Sequence, residues 1–312
     1  MSRINIAAVS RAGIYSPNHI GNDAAILNAT VEQLRRRGCD VRMYNEEQFL
    51  TEDLHENVIL NMCRQAASLE KLQSLEERGR LVINSGFGIE NCTREKMTRL
   101  LIAHGVPYPD SLMVDTNTNV RQMLEEAGID RCWIKRGEYH AMHKEDVHYC
   151  RHAQEAQEIL HEFFYRGIRR AVINRHLDGD LVKFYGLADG TFFYWFYPME
   201  QNHSKFSDER INGMPKHLHF DQQELQKACE KAADITGVVI YGGDCIIDKD
   251  GNFQIIDFND WPSFAPCRAE AAPHIAKTIL SAIKKWQYAH DCESAGTDVQ
   301  QQRRRSRKGG AQ

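Results

Sequence analysis

The sequence predicts an α/β protein made of several small units in series. Three observations carry that reading. Short apolar strand patterns alternate with helix-periodic segments through the first half of the chain. Aromatic and aliphatic runs bounded by Asp-Gly turns fill residues 170–198. An acidic strand pair, residues 241–258, precedes a final amphipathic segment. A chain of 312 residues with 42% hydrophobic and 26% charged residues is long enough for two or three soluble domains. The formal net charge of −4 leaves no basic footprint for a polynucleotide, so no nucleic acid partner is expected.

Residues 3–9 (RINIAAV) read as a buried strand. Residues 22–38 follow with helical periodicity: Ala25, Ile26, Ala29 and Leu34 share a face and Gly38 ends it. Strands at 40–44, 58–63 and 81–83 and a helix at 66–78 continue the alternation, which predicts a Rossmann-like domain over residues 1–85. A second unit, 86–168, contains a helix at 93–104 capped by Thr93 and closed by Gly105, a strand at 111–115, a helix at 120–127 and a strand at 132–135. A third unit, 169–292, opens with strands joined at Asp178-Gly179 and Asp189-Gly190, both read as hairpin turns. It continues with a helix at 221–236 capped by Asp221, strands at 241–248 and 253–258, and a helix at 269–288. Residues 293–312 hold the basic run QQQRRRSRK without an apolar face and are expected to be a disordered tail.

Nine cysteines without CxxC spacing argue against a disulfide framework or a zinc ribbon and for reduced, buried thiols. The first apolar run is too short for a signal-peptide core, and no stretch approaches the roughly 18 apolar residues of a membrane span. A cytoplasmic protein without membrane contact is expected. There is no GxxxxGK[ST], HExxH or GxSxG, and Ser85-Gly86-Phe87-Gly88 lacks the third glycine of a dinucleotide fingerprint.

The segment GGDCIIDKDGNFQIIDFNDWPSF carries the chemistry. Asp257 and Asn259 are two apart on one strand and share a face, so Ile256 and Phe258 are expected to face the core. The turn at 249–252 folds the preceding strand back, which brings Asp244 beside them. Asp248 and Asp250 belong to the turn. Two carboxylates and an amide oxygen suit Mg2+, or Mn2+, bridging nucleotide phosphates. A carboxylate in so apolar a run needs a partner.

This order of motifs resembles the ATP-grasp superfamily, most closely the branch of glutathione synthetase and the ribosomal-protein glutamate ligases, with similarity to the inositol phosphate kinases. The metal motif matches at Asp244, Asp257, Asn259 and Pro262, with Ser263 where the family has glycine. Arg94-Glu95-Lys96 followed by HGVPYPDS, then WIKRG, resemble the segments that supply two phosphate-contacting lysines, which implies Lys96 and Lys135. AVINRHLDGDLVKFYGL resembles the adenine-side hinge and the strand after it. That implies Asn174 at the hinge, Asp180 as the candidate ribose contact, and Lys183 facing phosphate or substrate. Arg268 would meet an anionic substrate. Where the family has a glycine-rich loop this chain has RGEYHAMHKEDVHYCRH, so His140 or His143 is the candidate phosphate cover; the spacing of His148 and His152 also admits a metal reading. The resemblance covers residues 85–288 and implies a Rossmann-like pre-grasp domain followed by a two-lobed ATP-grasp fold. It implies an ATP-dependent ligase that joins a carboxylate, on a small molecule or peptide, to an amine or thiol through an acyl phosphate. A small-molecule kinase and a non-catalytic nucleotide-binding module are the competing readings. A homodimer is compatible with all three.

Overall fold

A computed structural model describes residues 3–13, 20–138, 144–200 and 211–308 of the chain. The first sheet contains β1 (Asn5–Val9), β2 (Asp40–Tyr44), β3 (Val58–Asn61) and β4 (Leu81–Ile83), in the order β2-β1-β3-β4 with every neighbour parallel. Parallel neighbours need crossover connections, here α1 (Ile20–Arg36), α2 (Glu46–Thr51) and α3 (Ala66–Glu77). Every residue of β3, and all of β1 after Asn5, is buried, because both faces are covered. One face packs Ile6 and Leu60 against α1 and the last helix, α9 (Arg268–Lys308), through Ile26, Leu34, Ile275 and Ile279. The other packs Ala7 and Ile59 against Phe49 and Leu72.

Helix α4 (Gly86–Asn91) leads into α5 (Arg94–Ala103) and the second unit. Its sheet contains β5 (Ser111–Asp115), β6 (Cys132–Arg136), β7 (Val147–Cys150) and β8 (Arg170–Arg175), in the antiparallel order β5-β8-β6-β7. Helices α6 (Arg121–Glu126) and α7 (Ala153–Tyr165) cover one face around Leu124, Ile134, Leu160, Phe163 and Ile173. The third sheet contains β9 (Asp180–Leu187), β10 (Phe193–Phe196), β11 (Ile240–Ile247) and β12 (Phe253–Asp260), in the antiparallel order β10-β9-β11-β12. Helices α5 and α8 (Gln222–Thr236) close its inner face around Val182, Phe184, Cys245, Ile255 and Phe258. Among the described residues, no helix is long and apolar enough to cross a membrane, and the eight described cysteines are free and buried.

Several expectations are corrected. The turn signals predict hairpins on both sides of residue 180, yet only β9 and β10 form one. Strand β8 pairs with β5 and β6, so Asp178-Gly179 carries the chain from one sheet to the next. Gly179 has φ 157°, and a Cβ there would lie 2.0 Å from the Ile247 carbonyl oxygen; the crossing demands glycine for closeness rather than for a hairpin. The boundary expected at 168/169 accordingly cuts through the second sheet. Thr93 precedes α5 but turns its hydroxyl back to the Glu90 carbonyl at 2.8 Å and caps nothing, whereas Asp221 caps α8 by accepting from the Gln223 and Glu224 amides. Helices α2, α4 and α7 and strand β7 have no counterpart in the sequence reading. Helix α9 runs on to Lys308, beyond the helix read at 269–288.

One buried side chain ties the first unit to the third. Asn84, fully buried at the end of β4, accepts from the Val239 and Ile240 amides at 2.8 and 2.9 Å and donates to the Ile240 carbonyl at 2.7 Å. Its own carbonyl accepts from the Asn61 side chain. Asn84→Ala leaves the Val239 and Ile240 amides buried and unpaired, at about 1 kcal/mol or more each, while the Ile240 carbonyl keeps the Trp261 amide. Urea unfolding followed by tryptophan fluorescence is expected to show a loss of about 2 kcal/mol; a loss below about 1 kcal/mol would mean that this junction relaxes or hydrates.

Candidate functional site

Alternation along β9, β11 and β12 turns Val182, Phe184, Cys245 and Phe258 inward and their neighbours outward to the opposite face. In the antiparallel register Lys183 lies opposite Asp244, and Asp244 opposite Asp257, so the three side chains form one row across three strands. Asn259 lies opposite Gly242, one pair further along the same face as Asp257. A Cβ at Gly242 would stand 2.7 Å from both Pro262 and Tyr185, so only glycine fits beneath that part of the row.

The register slips once, between Asp244 and Cys245, where Cys245 pairs with Ile255 and leaves Ile256 without a partner across the ladder. This β-bulge corrects the expected phase. Ile255 is buried with Phe258, and Ile256 is only half-buried. The bulged carbonyl becomes an acceptor: Lys135 Nζ donates to Ile256 O at 3.0 Å. Lys135 reaches it from β6, where Ile134 enters the α6–α7 core and Lys135 faces the other way.

Each carboxylate of the row has a cation. Lys183 Nζ lies 2.8 Å from Asp244 Oδ1, with side chains 13% and 24% exposed. Arg94 lies 2.8 Å from Asp257 Oδ1, with side chains 6% and 22% exposed. Partial burial strengthens such pairs relative to surface ones. Lys135 is the strained member. Burial, and then the positive Arg94 beside it, lower its amine to about 7, against the opposing pull of Asp257 and Asp244.

Of the other residues proposed from the sequence, Asn174 is buried on β8, two residues before the crossing; its amide donates to Ser111 Oγ while its Oδ1 has no partner. Beside it, His176 accepts from the Trp133 indole at 3.0 Å. Asp180 is buried with both oxygens engaged, accepting from the Lys216 and Leu218 amides at 2.8 Å. In the structure Asp180 pins the backbone at Lys216 and Leu218. Lys96 is not brought to the row. It is half-exposed and paired with Glu90. Arg94, two residues earlier, points about 200° away around α5, onto the face that buries Met97, Thr98 and Leu101. The spacing 94, 97, 98, 101 carried that signal in the sequence. Arg268 opens α9 and donates to Asn22 Oδ1 at 3.0 Å, against α1 rather than the acidic row. His140 and His143 lie outside the described residues. His148 contacts the Glu145 carbonyl, and His152 caps α7 by accepting from the Glu155 amide, so neither serves a shared metal position.

A second charged group escaped the sequence reading. Fully buried Asp260, the last residue of β12, meets Arg64 at 3.0 Å and Arg11 at 3.5 Å, and Arg11 meets Asp23 at 2.8 Å. Arg11 also donates to the carbonyls of Met62 and Trp261. Burial, and then the neighbouring Arg64, pull the Arg11 guanidinium below its ordinary value. Arg11 and Arg64 follow β1 and β3, so this group fastens the C-terminal edge of the first sheet to the end of the strand that carries Asp257 and Asn259.

Among the described residues no group of three His, Cys, Asp or Glu side chains is placed to hold a metal ion. Asp244, Asp257 and Asn259 instead offer an all-oxygen set of two carboxylates and one amide. That suits a hard cation whose shell is completed by water or phosphate, so the residues fit magnesium.

Two measurements test this arrangement. Asp260→Ala removes the carboxylate partner of Arg64 and leaves Arg11 with Asp23, and equilibrium unfolding is expected to show a loss of about 3 kcal/mol; a change within about 1 kcal/mol would show the group to be dispensable. Lys135 has a folded pKa near 7, below the unfolded 10.5. Between these values the unfolded chain binds more protons, so the penalty for burying the ammonium is fully present below pH 7 and fades as pH rises towards 10.5. Nucleotide-free wild type is therefore expected to gain stability relative to Lys135→Met from pH 7 to 10. Parallel pH profiles for the two proteins would contradict this.

No protein-family model and no curated protein sequence matches the chain. Solved structures do. D-alanine–D-alanine ligase from Bacillus anthracis, complexed with ATP, is similar with a TM-score of 0.66 and 11% identity over 93% of this chain and 100% of that one. The D-alanine–D-alanine ligase from Coxiella burnetii gives 0.66 and 12% over 96% and 100%. The ATP-grasp ligase PsnB complexed with minimal precursor gives 0.59 and 15% over 90% and 100%. With almost the whole of each chain superposable at such low identity, the likeness is one of fold, and this chain has the ATP-grasp fold.

Proposed function

We propose that the protein is a Mg–ATP-dependent ligase that joins a carboxylate to an amine or thiol. The observation that carries the reading is the row Lys183–Asp244–Asp257, extended by Asn259 and flanked by Arg94 and Lys135, on a chain with the ATP-grasp fold. Asp244, Asp257 and Asn259 would hold magnesium, which when bound neutralises charge on the nucleotide phosphates. Arg94, Lys135 and Lys183 converge where those phosphates would lie. They come from a helix and two different sheets, so nucleotide binding would draw the second and third units together. Asn174 and the 176–179 crossing would border the base and ribose.

In this scheme the substrate carboxylate attacks the γ-phosphorus, ADP leaves, and an acyl phosphate forms. An amine then attacks the acyl carbon, inorganic phosphate leaves, and the amine gives up a proton. The side chains bind, orient and stabilise charge; no protein nucleophile is required. The ligases among the similar structures support this class, and the precursor complexed with PsnB supports a peptide as readily as a small acid. A kinase acting on a polyphosphorylated ring would draw on further cations. Two that the sequence offers are turned elsewhere: Arg136 faces Asp146, and Arg175 is held by Asp110 and the carbonyls of Ala127 and Gly128.

ATP consumption screened across amino acids, peptides and phosphorylated polyols, with product mass, tests the reading. Condensation with loss of water is expected; gain of one phosphate on a hydroxyl would replace it with the kinase. Asp257→Asn should keep nucleotide binding and lose turnover by about 100-fold or more. Arg94→Met should weaken ATP binding at least about tenfold, while Lys96→Met should leave it within about twofold. Equal effects of the two would remove Arg94 from the site.

A further inference from the structure

Both carboxylates of the acidic row are compensated from within the chain. Lys183 sits on Asp244 and Arg94 on Asp257, each at 2.8 Å and each largely shielded from solvent. The two acids are register neighbours, so unpartnered they would repel each other at short range. The two cations offset the two acids one for one. A bare divalent cation would therefore meet carboxylates that are already charge-compensated. It would also have to displace Lys183 and Arg94 from these partly buried pairs. A nucleotide changes both terms, because its phosphates supply anionic partners for the displaced cations and further oxygen ligands for the metal.

From this we infer that Lys183 and Arg94 are exchangeable counter-ions. They occupy Asp244 and Asp257 while the site is empty, move to the phosphates when nucleotide binds, and so make metal binding depend on nucleotide. The inference rests on the nucleotide–metal reading of the same residues. It gives Lys183 and Arg94 a positioning role that is set before any chemistry and acts on the order of binding.

The probe is Mn2+, titrated into the full chain by electron paramagnetic resonance of the free ion, with and without a non-hydrolysable ATP analogue. In wild type the analogue is expected to tighten Mn2+ binding by about 100-fold, as two exchanged ion pairs at about tenfold each require. Lys183→Met removes that cation from Asp244 and should tighten Mn2+ alone by about tenfold. Lys183→Arg keeps a cation on Asp244 and should match wild type. Arg94→Met acts on the other carboxylate and gives an independent reading should the Lys183 variant fold poorly; circular dichroism checks both. If the analogue and Mn2+ bind together but Mn2+ alone binds wild type and both methionine variants equally, the counter-ion role is overturned while the nucleotide–metal site stands. If Mn2+ binds no variant even with the analogue, the nucleotide–metal reading itself falls, and this inference with it.

Discussion

The antiparallel register of β9, β11 and β12 is the constraint on which the rest depends. A ladder fixes which side chains stand opposite one another, and here it sets Lys183, Asp244 and Asp257 in a single line. A slip of one residue would turn the acids into the α5–α8 core and put Phe184 and Phe258 in solvent, so burial of those rings holds the polar row in place. The bulge at Ile256 is the one departure from regular pairing. It frees a carbonyl at the position where Lys135 arrives from another sheet.

What surrounds the row arrives from distant parts of the chain. Arg94 belongs to a helix, Lys135 to the second sheet and Lys183 to the third, and the strand bearing the acids ends in Asp260, which the first sheet grips through Arg11 and Arg64. Asn84 makes a second junction between the first and third units. All these joints are polar and buried, so each contributes little net energy when complete and costs several kcal/mol when one partner is removed. Such joints fix relative position more than they add stability. That suits a site whose charged groups must meet within hydrogen-bonding distance.

The sequence made the acidic hairpin legible because strand alternation and a short turn are local properties; Asp244, Asp257 and Asn259 can be aligned by counting. The alternation of strands and helices in the first unit was legible for the same reason. Motif order points to Lys96, whereas helix phase turns Arg94 towards Asp257. The buried positions 94, 97, 98 and 101 were readable all along. Other features were not local. Asp180 looks available in the sequence because its partners, the amides of Lys216 and Leu218, lie more than thirty residues away. Arg11, Arg64 and Asp260 are three isolated charges until tertiary packing joins them. The bulge depends on pairing between strands, which composition does not encode. The partner of β8 was likewise decided by sheet assembly over a plausible Asp-Gly hairpin.

Lys135 carries a consequence for calorimetry. An amine held near neutrality by burial and a neighbouring guanidinium is poised between its two forms in ordinary buffers. An anion that settles beside it favours the charged form, so association is accompanied by proton uptake from the medium. The heat of binding then contains the ionisation enthalpy of whatever buffer gives up that proton, and the apparent affinity acquires a slope against pH. The same anion would associate with different measured enthalpies in phosphate and in Tris, although every protein contact was the same.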